Sequence, residues 1–149
     1  MRFVVLVILI GCAGGDERGT LESVPKAAAQ ALRTRSGGVA LNKVDREVEG
    51  GVEMWEATWF ENGRKHEAKV NAAGVVVEHE VEVPEAEVPP AVRATAETAV
   101  GKGAQFVRHM TGNYEAELVV GGKEKEVMIA PDGTIVGGDG DDDDDGDDD

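Results

Sequence analysis

The sequence predicts an α+β fold, a tandem repeat of one helix plus four antiparallel strands, with the helices on one face of the sheet. One stretch occurs twice, since residues 55–74 return as residues 114–133 with glutamate, alanine and glycine at matching positions. Each copy alternates apolar and polar residues around a glycine-containing turn, which is typical of a β-hairpin. A proline-led helical segment precedes each copy. A repeat at a fixed spacing sets the architecture of a chain.

The two predicted helices begin in the same way. The first follows Val24-Pro25 and runs to Arg35, and the second begins at Val88-Pro89-Pro90 and ends before Gly101. Proline suits the first turn of a helix because its missing N–H would have no helical partner there. Both apolar faces consist mainly of alanine and valine, so we expect each helix to lie close to the strands that it covers.

The strands are predicted from residues that alternate with a period of two. The hairpin tips are Asn62-Gly63 and Gly121-Gly122, pairs that adopt the positive φ that tight hairpins require. From Val75 to Val83, valines alternate with Glu78, Glu80 and Glu82. This pattern predicts a long strand with one acidic face.

The first twelve residues have the features of an export signal. Arg2 is a minimal positive region, and Phe3 to Ile10 form an apolar run that is too short to span a bilayer as a mature helix. Leu9-Ile10-Gly11-Cys12 resembles the lipobox of bacterial lipoproteins. That resemblance implies cleavage before Cys12, lipidation of Cys12 and a lipid-anchored location in the bacterial cell envelope, outside the cytoplasm. The alternative is a buried first strand with an incidental cysteine.

The net charge excludes some partners. The chain carries a formal charge of −15, to which the aspartates of residues 139–149 contribute strongly, and the part between leader and tail is still acidic. Binding to a phosphate backbone needs a basic face, so nucleic acid is not an expected partner. A basic protein or a cation is easier to accommodate.

Several short motifs, taken in order, resemble the PepSY-like family. They are the Val-Pro helix starts, Tyr114-Glu-Ala-Glu-Leu118, Gly122-Lys-Glu-Lys-Glu-Val127 and Asp132-Gly-Thr-Ile135. The most similar branch resembles the β-lactamase inhibitor protein, which is a tandem of two such units. The resemblance covers about residues 21–136. It implies a secreted or envelope-bound protein without catalytic residues. Members of the family are associated with binding or restraining proteases and other extracellular enzymes, and some are structural modules only.

These observations predict a domain organisation. Residues 1–11 are a lipoprotein signal peptide, and residues 12–20 hold the lipidated cysteine and a flexible tether. Residues 21–83 and 84–137 are two PepSY-like repeats. Residues 138–149 are a disordered polyaspartate tail, because they contain no apolar side chain that could enter a core.

Residues suited to catalysis are scarce. Beyond the leader, the only serines are Ser23 and Ser36, both at predicted helix ends. A nucleophile needs a base that is held by a third group, and His66, His79 and His109 show no spacing typical of such a site or of a metal site. We therefore interpret the three histidines as ordinary strand or loop residues. We predict that the protein is not an enzyme and uses no cofactor.

Two groups of residues are candidates for binding. The tail motif Asp141-x-Asp143-x-Asp145-Gly146 imitates the start of an EF-hand loop but ends before the required glutamate. The tail is therefore either a site of weak Ca²⁺ association or a solubilising spacer. Trp55 and Trp59 share one strand face, and Phe60 lies on the other. We predict that Trp55 is a core residue, and the pattern leaves Trp59 and Phe60 as candidates for an exposed binding surface.

Two hypotheses for function follow. The first is a non-catalytic envelope lipoprotein that binds an extracellular or periplasmic protein, for example to inhibit a protease, through the sheet face away from the helices. The alternative is a surface protein that responds to Ca²⁺ through its acidic tail.

Overall fold

The computed structural model describes residues 21–138, and these form one antiparallel sheet flanked by two short helices. The eight strands are β1 (Lys43–Glu49), β2 (Val52–Glu61), β3 (Arg64–Asn71), β4 (Val76–Glu82), β5 (Gln105–His109), β6 (Tyr114–Val120), β7 (Lys123–Ile129) and β8 (Ile135–Gly138). Each strand pairs with the next one in the chain. The helices are α1 (Lys26–Arg35) and α2 (Pro90–Ala99), and single 3₁₀ turns lie at Leu21–Ser23 and Glu85–Glu87.

The predicted tandem of two units, each of one helix plus four antiparallel strands, is wrong. Strands β4 and β5 are hydrogen-bonded to one another, with Glu80 opposite His109 and Val81 opposite Arg108. Beyond this ladder the backbone N–H of Val83 donates to the carbonyl of Phe106 at 2.8 Å. Within residues 21–138 the result is a single continuous sheet of eight strands with only two α-helices of ten residues each. Pairing satisfies backbone groups that would otherwise lie on two exposed strand edges.

Both helices pack on the same face of the sheet. The strand registers show this, because cross-strand partners connect Trp59, under α1, with Ile129, under α2, along one face of the sheet. Around α1 the core contains Leu32, Trp55, Trp59 and Val70, and α1 contacts mainly β3. Around α2 the core contains Val92, Phe106, Tyr114, Ala116 and Ile129, and α2 contacts mainly β7. Fully burying one such side chain contributes about 1.5–3 kcal/mol.

Small residues allow α1 to lie close to the sheet. Ala28 and Ala29 are buried in the helix. Gly74, in the turn between β3 and β4, has a φ of +81°, and a Cβ added there would lie 2.7 Å from the carbonyl oxygen of Ala27. Only glycine fits this conformation and this separation without strain. The hairpin tip at Asn62-Gly63 also has positive φ at both residues, as the sequence predicts.

Candidate functional site

The sheet face opposite the helices is covered by no helix of residues 21–138, and we call it the open face. The strand registers place twelve acidic residues and three lysines on it. The acidic residues are Asp45, Glu47, Glu49, Glu56, Glu67, Glu78, Glu80, Glu82, Glu115, Glu117, Glu124 and Glu126, and the lysines are Lys43, Lys65 and Lys69. The acidic face that the sequence predicts for Glu78, Glu80 and Glu82 is part of this surface.

The two aromatic candidates lie on opposite sides of the sheet. Trp59 is 1% exposed and belongs to the core under α1, so it cannot contact a partner in this structure. Phe60 points to the open face, where it lies opposite Lys65 and is 54% exposed. Trp55 is also buried, as predicted. Of the two candidates, only Phe60 can contribute to an exposed surface.

Lys69 lies at the centre of a ring of carboxylates on the open face. Its Nζ lies 2.7 Å from Glu49 and 3.0 Å from Glu47, and within 4 Å of Glu56 and Glu78. The lysine side chain is only 9% exposed. Burial lowers the pKa of Lys69, but its hydrogen bonds to Glu49 and Glu47 raise it above the ordinary value overall. Lys69 is therefore charged and neutralises part of this surface.

A second cluster surrounds His109 on strand β5. Its Nε2 lies 2.9 Å from Glu115 Oε2, and its Nδ1 lies 3.5 Å from Glu80 Oε1 and 3.8 Å from Glu78 Oε1. Glu80 and Glu115 are 6% and 4% exposed. Glu78, Glu80 and His109 are close enough together to hold a metal ion.

Burial makes several of these carboxyl groups hard to ionise. Burial, followed by the charges of Glu47 and Glu67, raises the pKa of Glu56 to about 7. Burial and the neighbouring Glu78 and Glu115 also raise the pKa of Glu80. Since a charged group loses hydration on burial, the protonated form is favoured unless a cation compensates. The open face is thus an acidic surface. Its more buried carboxyl groups, Glu56 and Glu80, have too little positive charge nearby to offset the cost of ionising them.

The pKa of Glu115 behaves differently. Burial raises it, but the hydrogen bonds that involve His109 and Glu117 lower it below the ordinary value overall. Glu115 is therefore ionised and accepts a hydrogen bond from His109. The pKa of Glu117 is raised, first by burial and then by its hydrogen bond to Glu115.

A groove of about 520 Å³ lies on the helix side, lined in part by Arg35, His79, Arg108 and Tyr114. His79 stacks on Trp59 and on His66, with ring centroids 5.4 Å and 5.6 Å away. Arg35 Nε donates a hydrogen bond of 2.9 Å to His79 Nδ1. Burial, and then the charge of Arg35, lower the pKa of His79 to about 4, so this ring is neutral at pH 7.

The sequence did not predict the His109 cluster. Glu80 and His109 lie directly opposite each other on β4 and β5, but 28 residues, which include α2, separate them in the chain. Metal-site motifs rely on short spacings along one element, so the pattern contained no signal for this pair. The one usable signal was the acidic face of β4.

Several predicted features lie outside the described residues. These are the lipidation site Cys12, the tether, and the tail aspartates Asp141, Asp143 and Asp145. They remain predictions from sequence, as does the suggested binding of Ca²⁺. Among residues 21–138, neither helix is long and apolar enough to cross a lipid bilayer.

Comparisons with known proteins show the fold. No family model matches the chain, and no curated protein matches it. Among solved structures, a DUF2874 family protein from Bacteroides uniformis has a TM-score of 0.58 at 16% identity, covering 77% of this chain and 88% of its own. A BLIP-like protein from Bacteroides fragilis has a TM-score of 0.53 at 16% identity, covering 80% and 90%.

A third similar structure comes from Bacteroides eggerthii and has a name that assigns it provisionally to the periplasm. Its TM-score is 0.58 at 12% identity, and the match covers 77% of this chain and 87% of the other. At these identities the similarity shows the fold alone, and this chain shares that fold with the BLIP-like protein.

Proposed function

We propose that this protein is a non-catalytic binding module of the bacterial cell envelope, which binds another extracytoplasmic protein through the open face. The observation that carries the proposal is the open face itself, a wide sheet surface with twelve carboxyl groups, three lysines and an exposed aromatic ring. Antiparallel sheets can leave one face in water, but a partly exposed phenylalanine there offers an anchor for a partner.

The charge of the open face indicates the chemistry of the partner. An excess of carboxylates favours a protein with a basic surface, because complementary potentials speed association and exclude wrong partners. Phe60 lies near the hairpin tip between β2 and β3, directly opposite Lys65 in the strand register. A hydrophobic contact at Phe60, surrounded by ion pairs, is the arrangement found at many interfaces.

The finer proposal is that binding inhibits an enzyme such as a protease. The likeness to a BLIP-like protein supports it at the level of the fold. A continuous hydrogen-bonded sheet is also suited to covering an enzyme's active site, because its surface needs little ordering when it binds. The acidic surface would meet a basic rim of the enzyme, while Phe60 enters an apolar depression.

We further propose that a lipid on Cys12 anchors the protein to the envelope membrane. The lipobox-like Leu9-Ile10-Gly11-Cys12 supports this location, as does the similar fold of a protein whose name refers to the periplasm. Two or three acyl chains hold a protein firmly at a membrane, whereas one chain does not. The module would then meet its partner close to that membrane.

Site-specific photocrosslinking tests the binding surface. A photoreactive phenylalanine analogue is placed at position 60 of the full chain, and a control at position 48. Val48 is 59% exposed, comparable with Phe60, but it lies on the helix side of the sheet. We expect a discrete crosslinked protein from position 60 and none from position 48. Equal crosslinking from both positions, or none from position 60, would contradict the proposal.

The inhibitor proposal is tested next with the crosslinked partner. If that partner is an enzyme, its turnover is measured with increasing amounts of this protein and with the Phe60→Ala variant. Inhibition that saturates and is weakened by Phe60→Ala supports the proposal. An unchanged turnover in the saturated complex would leave a binding module that does not inhibit.

A further inference from the structure

We propose that Glu78, Glu80 and His109 bind a divalent transition-metal ion of the zinc class on the open face. The three side chains come from two neighbouring strands. Glu80 and His109 lie directly opposite each other on β4 and β5, and Glu78 is two residues from Glu80 on the same face. One oxygen of each carboxylate and one ring nitrogen all lie within 4.8 Å of one another.

The separations between the ligand atoms suit one small ion. Two ligands bound at about 2.1 Å to a tetrahedral zinc ion lie about 3.4 Å apart. His109 Nδ1 lies 3.5 Å from Glu80 Oε1 and 3.8 Å from Glu78 Oε1. Small side-chain movements therefore bring all three atoms into the first coordination sphere. Three protein ligands leave a fourth position for water or for a group from a partner.

The ring of His109 is already oriented for metal binding. Its Nε2 lies 2.9 Å from Glu115 Oε2, so a carboxylate already engages this ring nitrogen. The other ring nitrogen, Nδ1, faces Glu80 Oε1 and Glu78 Oε1. Histidines that bind metals commonly donate their other ring N–H to a carboxylate, which fixes the tautomer and the ring orientation.

A buried and unpaired oxygen provides independent support. Glu80 is 6% exposed, and its Oε1 has no hydrogen-bond partner within residues 21–138. This atom is the one that faces His109 Nδ1. A buried polar atom without a partner destabilises the folded state, because it has lost its hydration without gaining a hydrogen bond. A cation between Glu80 and His109 would satisfy this oxygen.

Lys69 positions the third ligand. Its Nζ lies 3.7 Å from Glu78 Oε2, whereas Glu78 Oε1 is the oxygen near His109. The lysine therefore holds one carboxylate oxygen and leaves the other directed towards the proposed site. Glu115 and Lys69 are positioning residues, since neither contributes a ligand atom.

The ligand types indicate which ion is bound. Ca²⁺ and Mg²⁺ prefer oxygen ligands, whereas an imidazole suits zinc, copper, iron and nickel. Two carboxylates neutralise the charge of a divalent ion. The site thus differs in chemistry from the aspartate tail, which offers oxygen atoms only.

Titration of the metal-free full chain with Zn²⁺, followed by calorimetry, tests the proposal. Millimolar Ca²⁺ is present throughout to occupy weak oxygen-only sites in the tail. We expect one Zn²⁺ per chain, with binding weakened at least about tenfold by His109→Gln or Glu80→Gln, and about 10–100-fold by Glu115→Gln. Co²⁺ serves as a second probe, because four-coordinate Co²⁺ gives intense visible absorption.

Two controls make the result decisive. Glu124→Gln removes one charge from the same face and should leave Zn²⁺ affinity unchanged within about twofold, since Glu124 lies far from His109 in the register. Glu80→Gln keeps the size and shape of the buried side chain, so it should fold even if His109→Gln does not. Absence of a stoichiometric site, or wild-type affinity in folded Glu80→Gln, would overturn the proposal, leaving a network of shared protons in place of a metal site.

Discussion

Lys69→Met is the substitution that most directly tests how the open face is held together. The lysine side chain is 9% exposed, and among the described residues its Nζ is the one lysine or arginine nitrogen within 4 Å of Glu47, Glu49, Glu56 and Glu78. Methionine retains most of the apolar stem but removes the charge. The four carboxylates would then face one another across strands β1 to β4 without a compensating cation.

The expected loss of stability lies between two limits. Removing one partner of a fully buried ion pair costs about 3–5 kcal/mol, whereas an exposed pair contributes about 0–1 kcal/mol. Lys69 is nearly buried, but Glu49 and Glu47 keep 37% and 38% of their side-chain surface and can be rehydrated. We therefore expect Lys69→Met to lower the free energy of unfolding by about 2–3 kcal/mol.

Urea unfolding of the wild type and the variant at pH 7 measures this difference, because the midpoint and the slope together give the free energy. Lys43→Met is the matched control, since Lys43 pairs with Asp45 on the same face but its side chain is 61% exposed. We expect the control to change stability by less than about 0.5 kcal/mol.

The reasoning also predicts how the effect depends on pH. The folded-state pKa of Lys69 is raised, so its own contribution is fully present below the unfolded value of 10.5 and constant from pH 5 to 9. The carboxylates that lose their cation can instead become protonated, so the destabilisation should be smaller at pH 5 than at pH 7. A loss below about 1 kcal/mol at pH 7, or one equal to that of Lys43→Met, would refute this account of the surface.

Two further predictions concern the carboxyl groups and the turn beneath α1. The folded-state pKa values of Glu80 and Glu117 are raised, to about 9 and about 8, so the folded state retains protons that the unfolded state releases. Stability should fall as the pH rises from 7, by at most about 1.4 kcal/mol per pH unit for each group, up to about pH 8 for Glu117 and about pH 9 for Glu80. Glu80→Gln should flatten a plot of unfolding free energy against pH. An equally steep plot for the variant would contradict this assignment. Gly74→Ala should destabilise by about 1–3 kcal/mol more than Gly63→Ala in urea unfolding, because both have positive φ but only the former brings a Cβ against Ala27. Equal losses would show that the close approach does not matter.

Local features of the fold could be predicted from the sequence. The turn at Asn62-Gly63 joins β2 and β3 as expected, because its conformation depends on the residues at the turn itself. The first helix ends at Arg35, and Glu78, Glu80 and Glu82 share one strand face, since both depend on short-range periodicity.

Features that depend on contacts between residues far apart in the sequence could not be predicted from local patterns. Alternation placed Trp55 and Trp59 on one face, but it could not say which face the helices would cover, and burial of Trp59 settles that point. The pairing of β4 with β5 also joins distant parts of the chain. That pairing overturns the predicted tandem of units of one helix plus four strands, and it is also what brings His109 to Glu80.

The measurement that tests the central claim most directly is the affinity of the crosslinked partner for Phe60→Ala and Val48→Ala. The two side chains have similar exposure, 54% and 59%, but lie on opposite sides of the sheet. If the open face binds the partner, Phe60→Ala should raise the dissociation constant about 30-fold, which corresponds to about 2 kcal/mol, while Val48→Ala should leave it almost unchanged. Equal affinities for wild type and Phe60→Ala, or a loss confined to Val48→Ala, would contradict the claim.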